Sequence, residues 1–297
     1  MNLPSLAKCL LAAALCTGLS GCWVVSTTRH LPVPKAPTNV HTVSPDELVA
    51  RLNQRWSSLR TLTVSVEVQA TTLKTKEGVA RDYTSFPANI LLRTPRMLRV
   101  YGRYPVVHTE MFDMSSDGDS FTMYIPLQNK AYHGPAILHK KNDNPLLNMR
   151  PGFFIDALAV RGLDPTDLYA VTADTETVED TTRKHLYSVP EYVLSITRPK
   201  PGTHQLIPVR VITFHRDDLL PYEQDIYDAD GNLETHVSYQ GYQDFDSGLY
   251  PSIVTIRRPL EEKQIILTVE KVTVNMVLSD DQFSAKVPSG TQIQNVE

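Results

Sequence analysis

The 297-residue sequence predicts a mainly β protein with some α structure, an α+β fold. The expected form is one strongly curved antiparallel sheet, or an unclosed β-barrel, of about eleven strands with helices covering its concave face. Three observations carry this expectation. Runs of alternating apolar and polar residues recur from residue 62 to residue 274, turn pairs that close hairpins separate several of them, and only two segments have a helical pattern. A sandwich of two packed sheets would give the same periodicity and stays open as the alternative.

Residues 1–21 carry the zones of an export signal: a free amine and Lys8, the apolar core LLAAALCTGL, then small residues before Cys22. That core is about half the roughly 20 residues a membrane-spanning helix needs, so it reads as a removed signal peptide. Leu19-Ser20-Gly21-Cys22 resembles the bacterial lipobox, which implies that Cys22 is lipidated and becomes the new N-terminus. An ordinary secretory signal ending near a cysteine is the rival reading. Cysteine usage favours the lipobox, because Cys9 and Cys16 leave with the signal and an exported chain would otherwise keep one unpaired thiol. Each buried methylene contributes about 0.8 kcal/mol, and two or more acyl chains give a lasting hold where one does not. Residue Trp23, standing where Asp would retain an enterobacterial lipoprotein at the inner membrane, points by resemblance to a lipid anchor in the bacterial outer membrane, facing the periplasm.

Residues 22–43, with three prolines and little periodicity, read as the lipidated N-terminus and a flexible tether. A domain is then expected over 44–292. It opens on a helix with Ser44 as N-cap, Pro45 at the first helical position and Glu47 completing a capping box; Leu48, Leu52, Trp56 and Leu59 mark one face. In LTVSVEVQA, Leu62, Val64, Val66, Val68 and Ala70 alternate with polar residues, as in a half-buried strand. Ten further strand-like runs follow, from ANILLRT to QIILTVEKVTV, with Asp117-Gly118 and Asp230-Gly231 as hairpin turns. Between the two groups of strands, residues 144–162 read as an apolar helical insertion with Phe154 and Leu158 inward, joined by Phe153 and Ile155.

Composition excludes several classes of function. Lys and Arg number 29 against 33 Asp and Glu, and loss of Lys8 with the signal makes the chain slightly more acidic. Scattered charges with this balance do not make a nucleic-acid binder or a polybasic lipid-surface binder. No H-E-x-x-H, G-x-S-x-G or Walker-type loop occurs, so no catalytic residue is assigned and an enzyme is not expected. The nine histidines are dispersed; a pair such as His204 and His215 could meet across strands, but no metal or other cofactor is expected. The acidic pairs Asp217/Asp218, Glu261/Glu262 and Asp280/Asp281 fall in predicted turns, where adjacent carboxylates usually face water.

The segment from Leu91 to Gly134, with a strand ending in Arg-Thr-Pro, a Leu-Arg-Val strand, a Pro-containing loop, then Ser-Asp-Gly and an aromatic-rich strand, resembles the LolA/LolB-like superfamily of periplasmic lipoprotein carriers and outer-membrane receptors. The tail, with Phe283, Pro288 and Gly290 in an F-x-x-x-x-P-x-G ending, resembles the close of that family's chains. The resemblance is diffuse and is nearer to uncharacterised lipoprotein members than to the founding proteins. It implies an unclosed barrel with helices as a lid over an apolar cavity that takes acyl chains. It places Tyr104, Pro105, Val106 and Val107 where LolB-like receptors carry a membrane-contacting loop, although the Gly that follows the apolar residue there is missing here. Arg93 and Arg96, near Pro95, do not match the carriers' lid-latching Arg, and that role is not transferred.

Candidate cavity-lining residues are Val64, Val66, Val68, Leu98, Val100, Phe121, Met123 and Ile125. A filled core gives the same alternation as a lined cavity, and a plain hairpin the same loop sequence. The expected partners are a membrane, reached through the N-terminal lipid, the acyl chains of lipoproteins or another envelope lipid, and a periplasmic carrier protein. The rival function is an accessory envelope lipoprotein that binds a protein partner.

Overall fold

The computed structural model describes residues 39–74, 78–137, 151–180, 185–246 and 248–296. The expected signal peptide, Cys22, most of the tether and residues 144–150 of the helical insertion lie outside the described residues.

The chain opens on α1 (Pro45–Ser58), followed by β1 (Thr61–Lys74), β2 (Val79–Asp82), β3 (Phe86–Arg93), β4 (Met97–Arg103), β5 (Glu110–Ser116), β6 (Ser120–Ile125) and β7 (Lys130–Pro135). After α2 (Pro151–Leu158) come β8 (Leu168–Asp180), β9 (His185–Pro199), β10 (Leu206–His215), β11 (Pro221–Tyr227), β12 (Leu233–Asp244), β13 (Leu249–Arg258), β14 (Lys263–Val274) and the short β15 (Gln292–Asn295).

All strands join one unclosed sheet of 15, in the order β15-β7-β6-β5-β4-β3-β1-β14-β13-β12-β11-β10-β9-β8, with β2 folded back on the far end of β1. Strand β1 is the hinge of the design: one meander runs out from it through β3 to β7, and the second returns to it through β14. The two-sheet alternative is therefore excluded, and the expected eleven strands become 15. The sheet is also mixed, because β15 pairs in parallel with β7. The four strands absent from the sequence reading each lack a clear signal. β2 and β15 are four-residue strands exposed along their whole length, β7 has a two-residue apolar core, and β8 carries mostly polar, exposed residues at an edge.

Register explains the apolar pattern. One row crosses seven strands as Tyr132, Met123, Met114, Val100, Ile90, Val64 and Val272, all buried. In β14 the buried Val269 and Val272 are three residues apart, out of step with a period of two. The register shift beside Ser65 and Val66 of β1 leaves Glu270 as the extra residue of a bulge, which returns both valines to the same face.

Helix α1 starts as its sequence dictates: the Ser44 hydroxyl accepts from Glu47 N at 3.2 Å. Glu47 spends its carboxylate on Arg51 one turn ahead, at 2.8 Å. Leu48, Val49 and Leu52 pack against Tyr192, Leu194, Ile196, Ile212 and Phe214 of β9 and β10. Helix α2 inserts Phe153, Phe154, Ile155, Ala157 and Leu158 into the main core with the inward rows of β1, β3–β7 and β12–β14.

Candidate functional site

The eight residues expected to line a cavity do come together. Val64, Val66, Val68, Leu98, Val100, Phe121 and Met123 are buried in one cluster with the α2 phenylalanines, and Ile125 is half-buried at its margin. They form one packed apolar floor that includes the α2 side chains.

Open space borders this interior at one end. A cleft of about 180 Å³ is bounded by Trp56 and Leu59 at the end of α1, by Leu158, Ala159 and Val160 after α2, and by Leu62, Tyr239, Tyr242, Tyr250 and Val274 of the sheet. Several of these residues also pack on the main core, so the cleft and the floor are continuous. None of the eight expected residues borders the cleft.

The sequence offered no alternation that distinguishes the three tyrosines from ordinary strand aromatics. Burial pushes all three phenols well up from their ordinary range, so they remain neutral and present an apolar lining with one polar tip each. Each tip has a partner. Tyr250 Oη donates to Leu158 O at 2.8 Å, Tyr242 Oη donates to Pro221 O, and Tyr239 Oη accepts from Gln224 Nε2 at 3.3 Å.

A polar frame holds α2 and its following segment onto the sheet. Arg210 occupies an inward position of β10, in phase with Ile212 and Phe214, and donates to the carbonyls of Arg161 (2.8 Å) and Gly162 (2.7 Å). Gln224 Nε2 also donates to Asp156 O at 2.9 Å, and Asn53 of α1 accepts from Leu163 N at 2.8 Å. A Cβ at Gly162 would stand 2.5 Å from Asn53 Oδ1, so any larger residue would displace the amide that accepts from Leu163 N. Burial pushes the Asp156 carboxyl up, while Arg161, paired at 2.5 Å, and Arg210 pull it back. The sequence did carry a signal for Arg210: it is the charged residue in the apolar phase of PVRVITF.

The expected membrane loop is the β4–β5 hairpin tip. Tyr104 N donates to Thr109 O and His108 N donates to Tyr104 O, both at 2.9 Å. Tyr104 is half-buried and Pro105 exposed, whereas Val106 and Val107 expose 87% and 65% of their surface. The position after the apolar pair takes a left-handed φ of 52°, here borne by His108 rather than by glycine.

The other titratable candidates are accounted for. His204 lies in the turn before β10 and His215 at the strand's far end, so they do not meet. Glu261 does not face water but pairs with Arg258 (2.6 Å) and Lys263 (3.3 Å), Asp218 accepts from Tyr222 Oη, and Asp280 pairs with Arg93. Asp230-Gly231 closes the β11–β12 hairpin, with Asp228 Oδ1 accepting from the backbone of Asp230 and Asn232. No helix among the described residues is long and apolar enough to cross a membrane.

No protein-family model and no curated protein sequence matches this chain. Solved structures do match its fold. A LolA superfamily protein from Nitrosomonas europaea superposes with a TM-score of 0.50 at 12% identity, covering 82% of this chain and 98% of that one. A DUF1329 family protein from Desulfovibrio piger superposes with a TM-score of 0.50 at 15% identity, covering 80% and 95%. The chain thus has a LolA-like fold, as its sequence resemblance implied.

Proposed function

We propose that this chain is a lipid-anchored lipoprotein on the periplasmic face of the outer membrane that binds acyl chains in its apolar interior and takes part in lipoprotein or lipid localisation without catalysis. The observation that supports this most directly is the apolar cleft lined by residues at the ends of both helices, continuous with an apolar cluster on a LolA-like sheet. The physics suits the task. Exposing acyl chains to water costs about 0.8 kcal/mol per methylene, so a carrier or receptor must offer dry surface comparable with the bilayer.

At about 180 Å³ the cleft is smaller than the roughly 300–1,000 Å³ of typical ligand sites. Acyl binding therefore requires α2 to move off Val64, Val66, Val100, Phe121 and Met123. The polar frame described around α2 lies at its C-terminal end, where a neutral hydrogen bond contributes about 0.5–1.5 kcal/mol net and one from the Arg210 guanidinium about 1.5–3 kcal/mol. Apolar contact then passes from the α2 phenylalanines to the ligand. The Val106–Val107 tip is the site at which the protein touches the membrane, and the lipid on Cys22 keeps it there.

Lipid extraction with mass spectrometry on a Cys22→Ala chain, which cannot be acylated, tests the reading. Co-purifying acyl chains, displaced by substitution of Phe154 with a bulkier Trp, are expected. A chain that repeatedly purifies free of lipid and does not take up a fluorescent fatty acid would favour the accessory, protein-binding role.

A further inference from the structure

A larger cleft lies on the other face of the sheet. Strand β4 sends Leu98, Val100 and Gly102 inward and therefore Arg99, Tyr101 and Arg103 outward. The chain crosses this outer face after β14. Phe283 packs with Leu91 and Leu278, Lys286 N donates to Asp113 Oδ2 at 2.9 Å, and Arg99 donates to Gln282 O at 3.2 Å. Between this strap and the root of the β4–β5 loop lies a cleft of about 500 Å³, within the range of small-molecule sites.

Its charges are unusual in their arrangement. Arg99 is already satisfied by Asp113. Arg103, Glu110, Asp281 and Lys286 also border the cleft, two of each sign, and none makes an ion pair with any described residue. His108, at the loop root, offers an imidazole N–H, and Tyr101 a ring, to the same space. These charges feel one another's field, as Lys286 and Arg103 do with Glu110, but form no close pair, which leaves their hydrogen-bonding capacity for a ligand that carries both signs. The cleft also adjoins the loop whose tip exposes Val106 and Val107.

We propose that this cleft binds the zwitterionic headgroup of a phosphatidylethanolamine molecule in the membrane that the loop contacts, the phosphate on Arg103, Lys286 and His108 and the ammonium on Glu110 and Asp281. The site rests on the reading of the loop as a membrane contact, but not on acyl binding in the interior. Charge-assisted hydrogen bonds suit both ends of such a headgroup, and the ammonium's N–H groups separate it from a choline. Burial, followed by the Asp113 charge, pushes the Glu110 carboxyl up, with Arg99, Lys286 and Arg103 opposing; an incoming ammonium adds to that opposing positive charge at hydrogen-bonding distance.

Titration calorimetry of the full chain with glycerophosphoethanolamine and with glycerol phosphate tests the site without a bilayer. Arg103→Gln or Lys286→Gln should weaken both ligands about tenfold, as loss of a charged hydrogen-bond partner does. Glu110→Gln should weaken glycerophosphoethanolamine several-fold and strengthen glycerol phosphate, a reversal that unfolding cannot mimic. Absence of binding, or equal affinity across these variants, overturns the site. Flotation with phosphatidylcholine vesicles, with and without phosphatidylethanolamine, then identifies the source. A gain from phosphatidylethanolamine that Lys286→Gln removes supports the proposal. Binding of the soluble headgroup with no such gain overturns the lipid source, and lipid extraction from the same variants reports on the interior independently.

Discussion

Tyr250 donates its hydroxyl proton to the carbonyl oxygen of Leu158 across 2.8 Å, joining strand β13 to the last turn of α2. The bond lies at the mouth of the interior cleft, which Leu158 and Tyr250 both line. Tyr250→Phe keeps the ring and deletes only this bond. It should cost about 1–2 kcal/mol of stability, since the Leu158 carbonyl loses its side-chain donor. Amide exchange should rise about tenfold over residues 155–163, and fatty-acid uptake should quicken. A uniform rise in exchange over the whole sheet would contradict a role at this seam.

The Arg99–Asp113 pair makes a different prediction. Asp113 is fully buried and receives two parallel hydrogen bonds from Arg99, at 2.8 and 2.9 Å, plus one from Lys286 N. Asp113→Ala leaves a buried guanidinium without its partner and should cost about 3–5 kcal/mol. Because Asp113 also receives the strap after β14, residues 281–287 should become sensitive to protease in this variant. Urea denaturation and limited proteolysis check the two effects separately.

These relationships mark the boundary of what the sequence shows. The inward rows of β1, β4 and β6 were legible because one face is buried and the period of two is unbroken. Ser44 as N-cap was legible because capping is local. Strand β8 was not, since an edge strand with exposed Thr and Glu gains its place from pairing with β9 rather than from its own burial. Glu261 was misread as a solvent-facing turn carboxylate because its partners Arg258 and Lys263 converge only once the hairpin forms. The packed state of the floor was beyond periodicity altogether, which records that a side chain faces inward but not what it meets there.

At the loop tip, Val106 and Val107 contribute little to folding because they touch little. The double substitution Val106→Asp, Val107→Asp should change stability by no more than about 0.5 kcal/mol. It should nevertheless abolish vesicle association and ligand delivery, while uptake of a soluble fatty acid is retained. Flotation and a fluorescence transfer assay measure these outcomes; unchanged delivery would remove the loop from the mechanism.

The last prediction concerns pH and Glu191, on β9 between Asp174 of β8 and His215 of β10. Its side chain keeps 11% of its exposure, and its nearest basic group, His215 Nε2 at 3.5 Å, belongs to a ring stacked on Tyr222. Burial pushes the Glu191 carboxyl from 4.5 up to about 7, helped by the like charges of Glu176, Glu223 and Asp174. Burial also lowers the pKa of His215, so the imidazole is mostly neutral and offers little compensation. Between these two values the folded chain retains a proton that the unfolded chain has released, so stability falls as pH rises through the window and the full penalty stands above it. Gln at this position carries no charge to bury. Glu191→Gln should therefore match the parent at pH ~4 and exceed it at pH ~8 by about 1–2 kcal/mol after allowance for solvent screening. Urea midpoints across that range decide the matter: a gap that widens with pH supports the buried acid, and one that is constant with pH would falsify it.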